Sequence, residues 1–157
     1  MKRLLLLLIP ALMSPVSAEA QQTILDVDYA SSLTRIHIQR GTLKYVWYTG
    51  RSDPKTGRPN MAQSLAAYNK HVSNTPLTPS QTNWLNAWAD RNHVFGLRRT
   101  YPTTQPSSYG TAFRFTLSVS RRGRTHTSTW DDTSHAKPAW TAAQELQAWC
   151  EKTVNHC

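Results

Sequence analysis

An α+β fold is predicted: an antiparallel sheet built from two β-hairpins and covered on one face by two or three helices. Three observations predict it. Ala112–Trp130 (AFRFTLSVSRRGRTHTSTW) alternates Phe113, Phe115, Leu117 and Val119 with Arg114, Thr116, Ser118 and Ser120 before a basic turn, and a period of two assigns the two sets to opposite faces of a strand. Leu33–Thr49 alternates in the same way around Gly41. Two later segments, Thr78–His93 and Pro138–Val154, carry apolar residues at helical spacing and suit helices that bury one stripe against a sheet. The chain of 157 residues is long enough for one domain with a real core and short for two.

In order along the chain, the first segment is MKRLLLLLIPALMSPVSAEA. Lys2 and Arg3 precede a short apolar run, and Val16-Ser17-Ala18 or Ala18-Glu19-Ala20 offers small residues for cleavage. This is the pattern of a secretory signal peptide, and the run is well short of the ~20 apolar residues a membrane span needs. Residues 1–20 are therefore expected to be a leader and 21–157 a single exported domain, secreted or periplasmic. No later segment is apolar enough to span a bilayer. The formal charge is +9; cleavage after Ala18 removes Lys2 and Arg3 and leaves 16 basic against 9 acidic residues, +7. Such a surface attracts acidic proteins, anionic envelope polymers, anionic lipid or nucleic acid, and it also serves solubility alone.

Gln21–Asp28 begins polar and turns β-like at Ile24 and Val27, which suits an edge strand or a loose arm. In the first hairpin Ile36 and Ile38 oppose Arg35, His37 and Gln39, and Leu43, Tyr45 and Trp47 share a face of the return arm. Gly41 suits a left-handed turn position. Gly50–Pro59 reads as a polar turn region. Met61, Leu65, Tyr68 and Val72 are spaced 4, 3 and 4 residues apart, which predicts a short helix over Asn60–Val72, followed by a proline-bearing connection at Ser73–Pro79. The next helix has the clearest start: Thr78 as N-cap, Pro79 at the first helical position and Gln81 completing a capping box. Its Trp84, Leu85 and Trp88 read as core, with a carbohydrate platform the rarer use of such a stripe. Gly96 is the expected stop. Arg98–Gly110, with Tyr101 and Tyr109, is a long loop, and loops of this length in small domains are often functional. Asp131–Ser134 is a polar bend, and the final helix runs from Pro138 or Thr141 to Val154.

The two cysteines, Cys150 and Cys157, predict a disulfide in an exported chain, one that ties the tail to the end of the last helix. Neither their spacing nor any further cysteine suggests a metal knuckle. His126, His135, Asp131 and Asp132 are of the types that ligate metals, although a bend rich in Asp, Ser and Thr is more simply a helix-initiating turn. No metal and no cofactor is expected. His71-Val72-Ser73 and His126-Thr127-Ser128 match the H-x-[ST] pair of two-histidine phosphoesterases, in which each histidine shuttles a proton. That leaves a small hydrolase using His126 as an alternative. No G-x-S-x-G elbow, P-loop, G-x-G-x-x-G or H-E-x-x-H occurs.

The densest charge is at the second hairpin's tip, Arg121, Arg122 and Arg124, with Arg98 and Arg99 close in sequence. Arginine suits bidentate anion contacts, and charge at a hairpin end also protects strand edges. The candidate binding residues are Arg98, Arg99, Tyr101, Tyr109, Arg121, Arg122 and Arg124. From Leu77 to Trp149 the order LTPSQTNWLNAW, NHVFGL, FRFTLSVSRRGRTHTSTWDDTS and AAQELQAW resembles small domains of secreted bacterial proteins and, distantly, emfourin-type inhibitors of thermolysin-like proteases. The resemblance covers about half the chain, lacks that family's early GG signature between Leu33 and Tyr48, and transfers no inhibitory residue. The leading expectation is an exported, non-catalytic binding module, inhibitor-like in the sense of that resemblance. A cationic envelope protein binding anionic polymers is the third reading, which steep salt dependence would favour.

Overall fold

A computed structural model describes residues 24–49, 68–103 and 113–155. The predicted leader, the turn region Gly50–Pro59 and Tyr109 lie outside the described residues. The structure is α+β: a six-stranded antiparallel sheet and two helices. The strands are β1 (Asp26–Ala30), β2 (Thr34–Gln39), β3 (Thr42–Thr49), β4 (Asn69–Pro76), β5 (Arg114–Arg121) and β6 (Arg124–Asp131), in the spatial order β4-β3-β2-β1-β5-β6. The helices are α1 (Pro79–Arg91) and α2 (Lys137–Asn155), with a 3-10 turn at Val94–Gly96.

Both hairpin turns are built alike. Arg40 and Gly41 have φ of 49° and 74°, and Arg122 and Gly123 have 53° and 74°. Two successive positive φ values give the turn twist that matches a right-handed strand pair. Glycine meets that demand at the second position without a Cβ penalty, and arginine takes the less common left-handed conformation at the first. The turns set the register Gln39↔Thr42 and Arg121↔Arg124.

That register carries one set of side chains into a common core. Val27, Tyr29, Ile36, Ile38, Leu43, Tyr45, Leu117, Val119 and Trp130 are buried in the same cluster as Leu85, Trp88 and Ala89 of α1 and Ala139, Ala142, Ala143 and Leu146 of α2. The capping box of α1 forms as predicted: Gln81 N–H donates to Thr78 Oγ1 at 3.2 Å, and Thr78 N–H donates to Gln81 Oε1 at 2.8 Å. The Trp88 indole N–H donates to the Ala142 carbonyl at 3.0 Å and ties α1 to α2. Trp84 is only half-buried and stacks on Trp149 of α2, with centroids 4.7 Å apart. No helix among the described residues is long and apolar enough to cross a membrane.

Several expectations are corrected. Asp26–Ala30 is neither an edge nor an arm; it lies between β2 and β5 and pairs with both. Its polar look comes from Asp26 and Asp28, while Val27 and Tyr29 alternate into the core. The sheet therefore needs more than two hairpins. Asn69–Val72 is not the end of a helix, and Ser73–Pro76 is not a connection: both belong to β4, which pairs with β3 from Thr42↔Pro76 to Thr49↔Asn69. Eight residue pairs along β3 outweigh a helical spacing that rests on four apolar residues; residues 60–67 of the predicted helix lie outside the described region. Helix α1 stops at Arg91, before Gly96, because Asn92 caps it and His93 turns left-handed with φ 48°. On β5, Leu117 and Val119 are buried and Phe115 is half-buried, while Phe113, one residue before the strand, is 43 % exposed and not in the core. Cys150 is fully buried, and burial pushes its thiol pKa up; its predicted partner Cys157 lies outside the described residues.

Candidate functional site

Two surfaces bear concentrated charge. The first is the end of the β5–β6 hairpin. Arg121 is held at its root, with Nη2 donating to Asp90 Oδ1 of α1 at 2.6 Å. The guanidinium groups of Arg121 and Arg124 both lie over the Phe95 ring, 5.2 and 5.4 Å from its centroid, in the range of cation–π attraction. Arg124 Nη2 also donates to the Phe95 carbonyl at 3.5 Å. Arg121 holds the Asp90 carboxyl below its ordinary pKa, and Asp90 raises that of Arg121. The tip is thus docked on α1 and the 3-10 turn, not a freely solvated loop.

On the other side of the 3-10 turn is a cavity of about 520 Å³ lined by His93, Leu97, Arg98, Tyr101 and His135 among others. Arg98 is exposed there. Arg99 is not brought to the tip. Its carbonyl accepts from Thr129 N–H at 2.9 Å, and Tyr101 N–H donates to the Thr129 carbonyl at 3.0 Å, so this segment flanks β6 near its far end. Thr129 is five residues from Arg124, roughly 17 Å at strand rise. Tyr101 is 8 % exposed, belongs to the core cluster and also lines this cavity. The predicted loop hides it because its backbone pairs with a strand.

The histidines of the two H-x-S tripeptides lie far apart. His71 stacks on Trp47, with centroids 5.0 Å apart, and is hydrogen-bonded through Nε2 to Thr49 Oγ1 at 2.9 Å. His126 Nε2 is 3.2 Å from Ser128 Oγ. They sit on β4 and β6, opposite ends of the sheet. Five strand spacings of ~4.8 Å separate them by about 24 Å, so the two H-x-S tripeptides do not face one another. The Asp131 bend is occupied with local turn bonds. Its carboxylate accepts from Thr133 N–H at 3.0 Å, from Ser134 Oγ at 2.8 Å and from Thr103 Oγ1, and these donors, Thr103 first, hold its pKa down at about 2. Among the described residues no group of three or more His, Cys, Asp or Glu side chains converges as a metal site would require.

The second surface was not predicted. It is a groove of about 510 Å³ lined by residues of β1, β2, β3, β4 and β5, most of them the strand positions that alternate with the core set. Arg35, Lys44 and Lys70 are exposed along it, Val46 forms its floor at 8 % exposure, and Val72 and Tyr48 line it. His37 Nδ1 lies 2.5 Å from Asp28 Oδ1, and this bond raises the His37 pKa. The sequence carries part of the signal, since Arg35 and His37 alternate against Ile36 and Ile38. The groove was missed because reading β4 as helix left Lys70 and Val72 out of the sheet.

No protein-family model, no curated protein and no solved structure matches this chain.

Proposed function

We propose that this chain is an exported, non-catalytic binding module, in which helices covering one face of the hairpin sheet support an arginine-bearing hairpin end that engages an acidic protein. The observation that carries the reading is the docking of Arg121 and Arg124 over Phe95, with Arg121 anchored on Asp90. Arginines fixed in place lose less rotamer freedom on binding than mobile ones, which is how preorganisation raises affinity. Arg122 at the turn and Arg98 beside the 3-10 turn extend the basic surface. The emfourin resemblance implies an inhibitor-like form of the same binding.

The test is capture of partners from the producing cell's envelope and secretome with the mature chain, followed by titration of the purified partner. Replacing Arg121, Arg122 and Arg124 by Ser is expected to weaken binding at least tenfold and to flatten its salt dependence, while His126→Ala leaves it unchanged. An unaltered affinity of the triple variant, with its melting curve still cooperative, would overturn the reading. A hundredfold loss of any turnover in His126→Ala, the scale of a lost acid–base group, would replace it with the hydrolase alternative. Absence of inhibition of a thermolysin-like protease at equimolar ratio would remove the inhibitor-like form.

A further inference from the structure

We propose that the sheet face bearing Arg35, Lys44 and Lys70 is a second binding surface, and that its ligand is an acidic polysaccharide of the uronic-acid type. The proposal stands apart from the hairpin end and does not need it.

Three properties of the face point to that chemistry. The first is charge. Pairing aligns the outward residues in rows across the strands: Asn74–Lys44–His37–Asp28, then Val72–Val46–Arg35–Ala30–Thr116, then Lys70–Tyr48. Each of three successive rows carries one exposed cation, Lys44, Arg35 and Lys70, and rows recur about every 6.8 Å along a strand. Among the described residues no carboxylate forms an ion pair with any of the three, while Asp28 pairs with His37. Cations on three adjacent strands, one in each successive row, suit a polymer with an acidic group on each unit.

The second property is the groove's floor. Val46, Val72 and Tyr48 present aliphatic and aromatic surface between the cations, the kind of surface on which the C–H faces of a sugar ring rest. The third is the adjoining strip of hydroxyls. Outward residues of β5 and β6 are Thr116, Ser118 and Ser120 opposite Thr129, Thr127 and Thr125. Ser118 Oγ and Thr127 Oγ1 are 2.9 Å apart, and Thr125 Oγ1 donates to Ser120 Oγ at 3.0 Å. Each hydroxyl offers one donor and two acceptor sites, so the pairs retain capacity for a polyhydroxylated ligand.

The backbone narrows the choice further. Strands β1, β2 and β3 are each paired on both sides, which leaves no main-chain groups for an added peptide strand; peptide addition belongs at a sheet edge. A ligand over the groove is read by side chains alone. Carboxylates, ring C–H faces and hydroxyls occur together in an acidic polysaccharide.

The experiment titrates the mature protein with polygalacturonate, with neutral dextran, with duplex DNA and with phosphatidylglycerol vesicles, at 0.05 and 0.15 M salt. The variants are Arg35→Glu/Lys44→Glu on the groove and Arg122→Glu/Arg124→Glu on the hairpin end, each checked by thermal melting. The expected result is binding of polygalacturonate but not dextran, reduced at least tenfold in the groove variant and less than threefold in the hairpin variant. Absence of polygalacturonate binding at the lower salt would overturn the proposal. So would equal binding of DNA or vesicles, which would mark a general polycation, or a loss confined to the hairpin variant. Should the groove variant unfold, Lys70→Glu with Thr116→Val replaces it under the same criteria.

Discussion

The two faces of the sheet come from the same strands, residue by residue, yet they behave as different materials. On β5, Leu117 is 1 % exposed and belongs to the core cluster, while its neighbours Thr116 and Ser118 fall on the opposite face of the strand and are half-buried. On β2, Ile36 and Ile38 are buried while Arg35 and His37 are exposed. One face is held by apolar burial, which is non-directional and roughly proportional to area. The other carries paired hydroxyls and charges in water, where each interaction contributes little to stability. The comparison teaches that the apolar alternates of the described strands anchor the fold, while the polar alternates between them contribute little to it.

The largest effect that could break this comparison is at Leu117. Leu117→Ala is expected to destabilise by about 2–5 kcal/mol, whereas Ser118→Ala stays within about 0.5 kcal/mol. Urea unfolding measures both, and comparable losses would mean that the faces do not differ. Phe115 sharpens the boundary. It is half-buried, 4.4 Å from Trp140 and 5.9 Å from Trp130 between ring centroids, so Phe115→Ala should cost about 2 kcal/mol, less than a fully buried phenylalanine.

The hairpin end lies between the two extremes. Arg121→Ser loses the Asp90 pair and the Phe95 contact, and is expected to cost about 1 kcal/mol, with a smaller cost in an Asp90→Asn background. Because the Asp90 pKa is lowered in the folded protein, its contribution is present above the unfolded pKa and lost as pH falls through the folded value. The same sign holds for Asp131, whose folded pKa is about 2. Stability should decline as pH falls from about 4 towards 2, and Asp131→Asn should lessen that decline in acid melts.

The smallest effect is expected on the polar face. His37 gains from Asp28, so its pKa is raised; the pair's contribution is full below the unfolded pKa and is lost as pH rises through the folded one. Both side chains are largely exposed, at 46 % and 66 %, and solvent screening should hold the contribution to about 0.5 kcal/mol or less. His37→Gln should therefore leave thermal melts between pH 5 and 8 nearly unchanged. A shift of several degrees confined to the acid side would show the polar face to be structural after all.

What the amino-acid sequence determined by itself is the set of features governed by near neighbours. The Thr78–Gln81 capping box closes within one helical turn. The Arg-Gly turns at residues 40–41 and 122–123 need only their own φ values. The alternation of Leu117 and Val119 with Ser118 and Ser120 needs only the pleat. Tertiary structure decided what depends on distant chain. Asp26–Ala30 became a central strand because β2 and β5 both pair with it. Asn69–Pro76 became a strand because β3 offers it a full ladder, against a spacing that favours a helix. Tyr101 went inward because its backbone bonds to Thr129, and Arg99 was carried away from the tip by the same bonds. The groove of Arg35, Lys44 and Lys70 exists only after β4 pairs with the β2–β3 hairpin from twenty residues further along the chain. Local signals act over a few residues, whereas strand order is set by pairing energies summed over residues far apart in the chain.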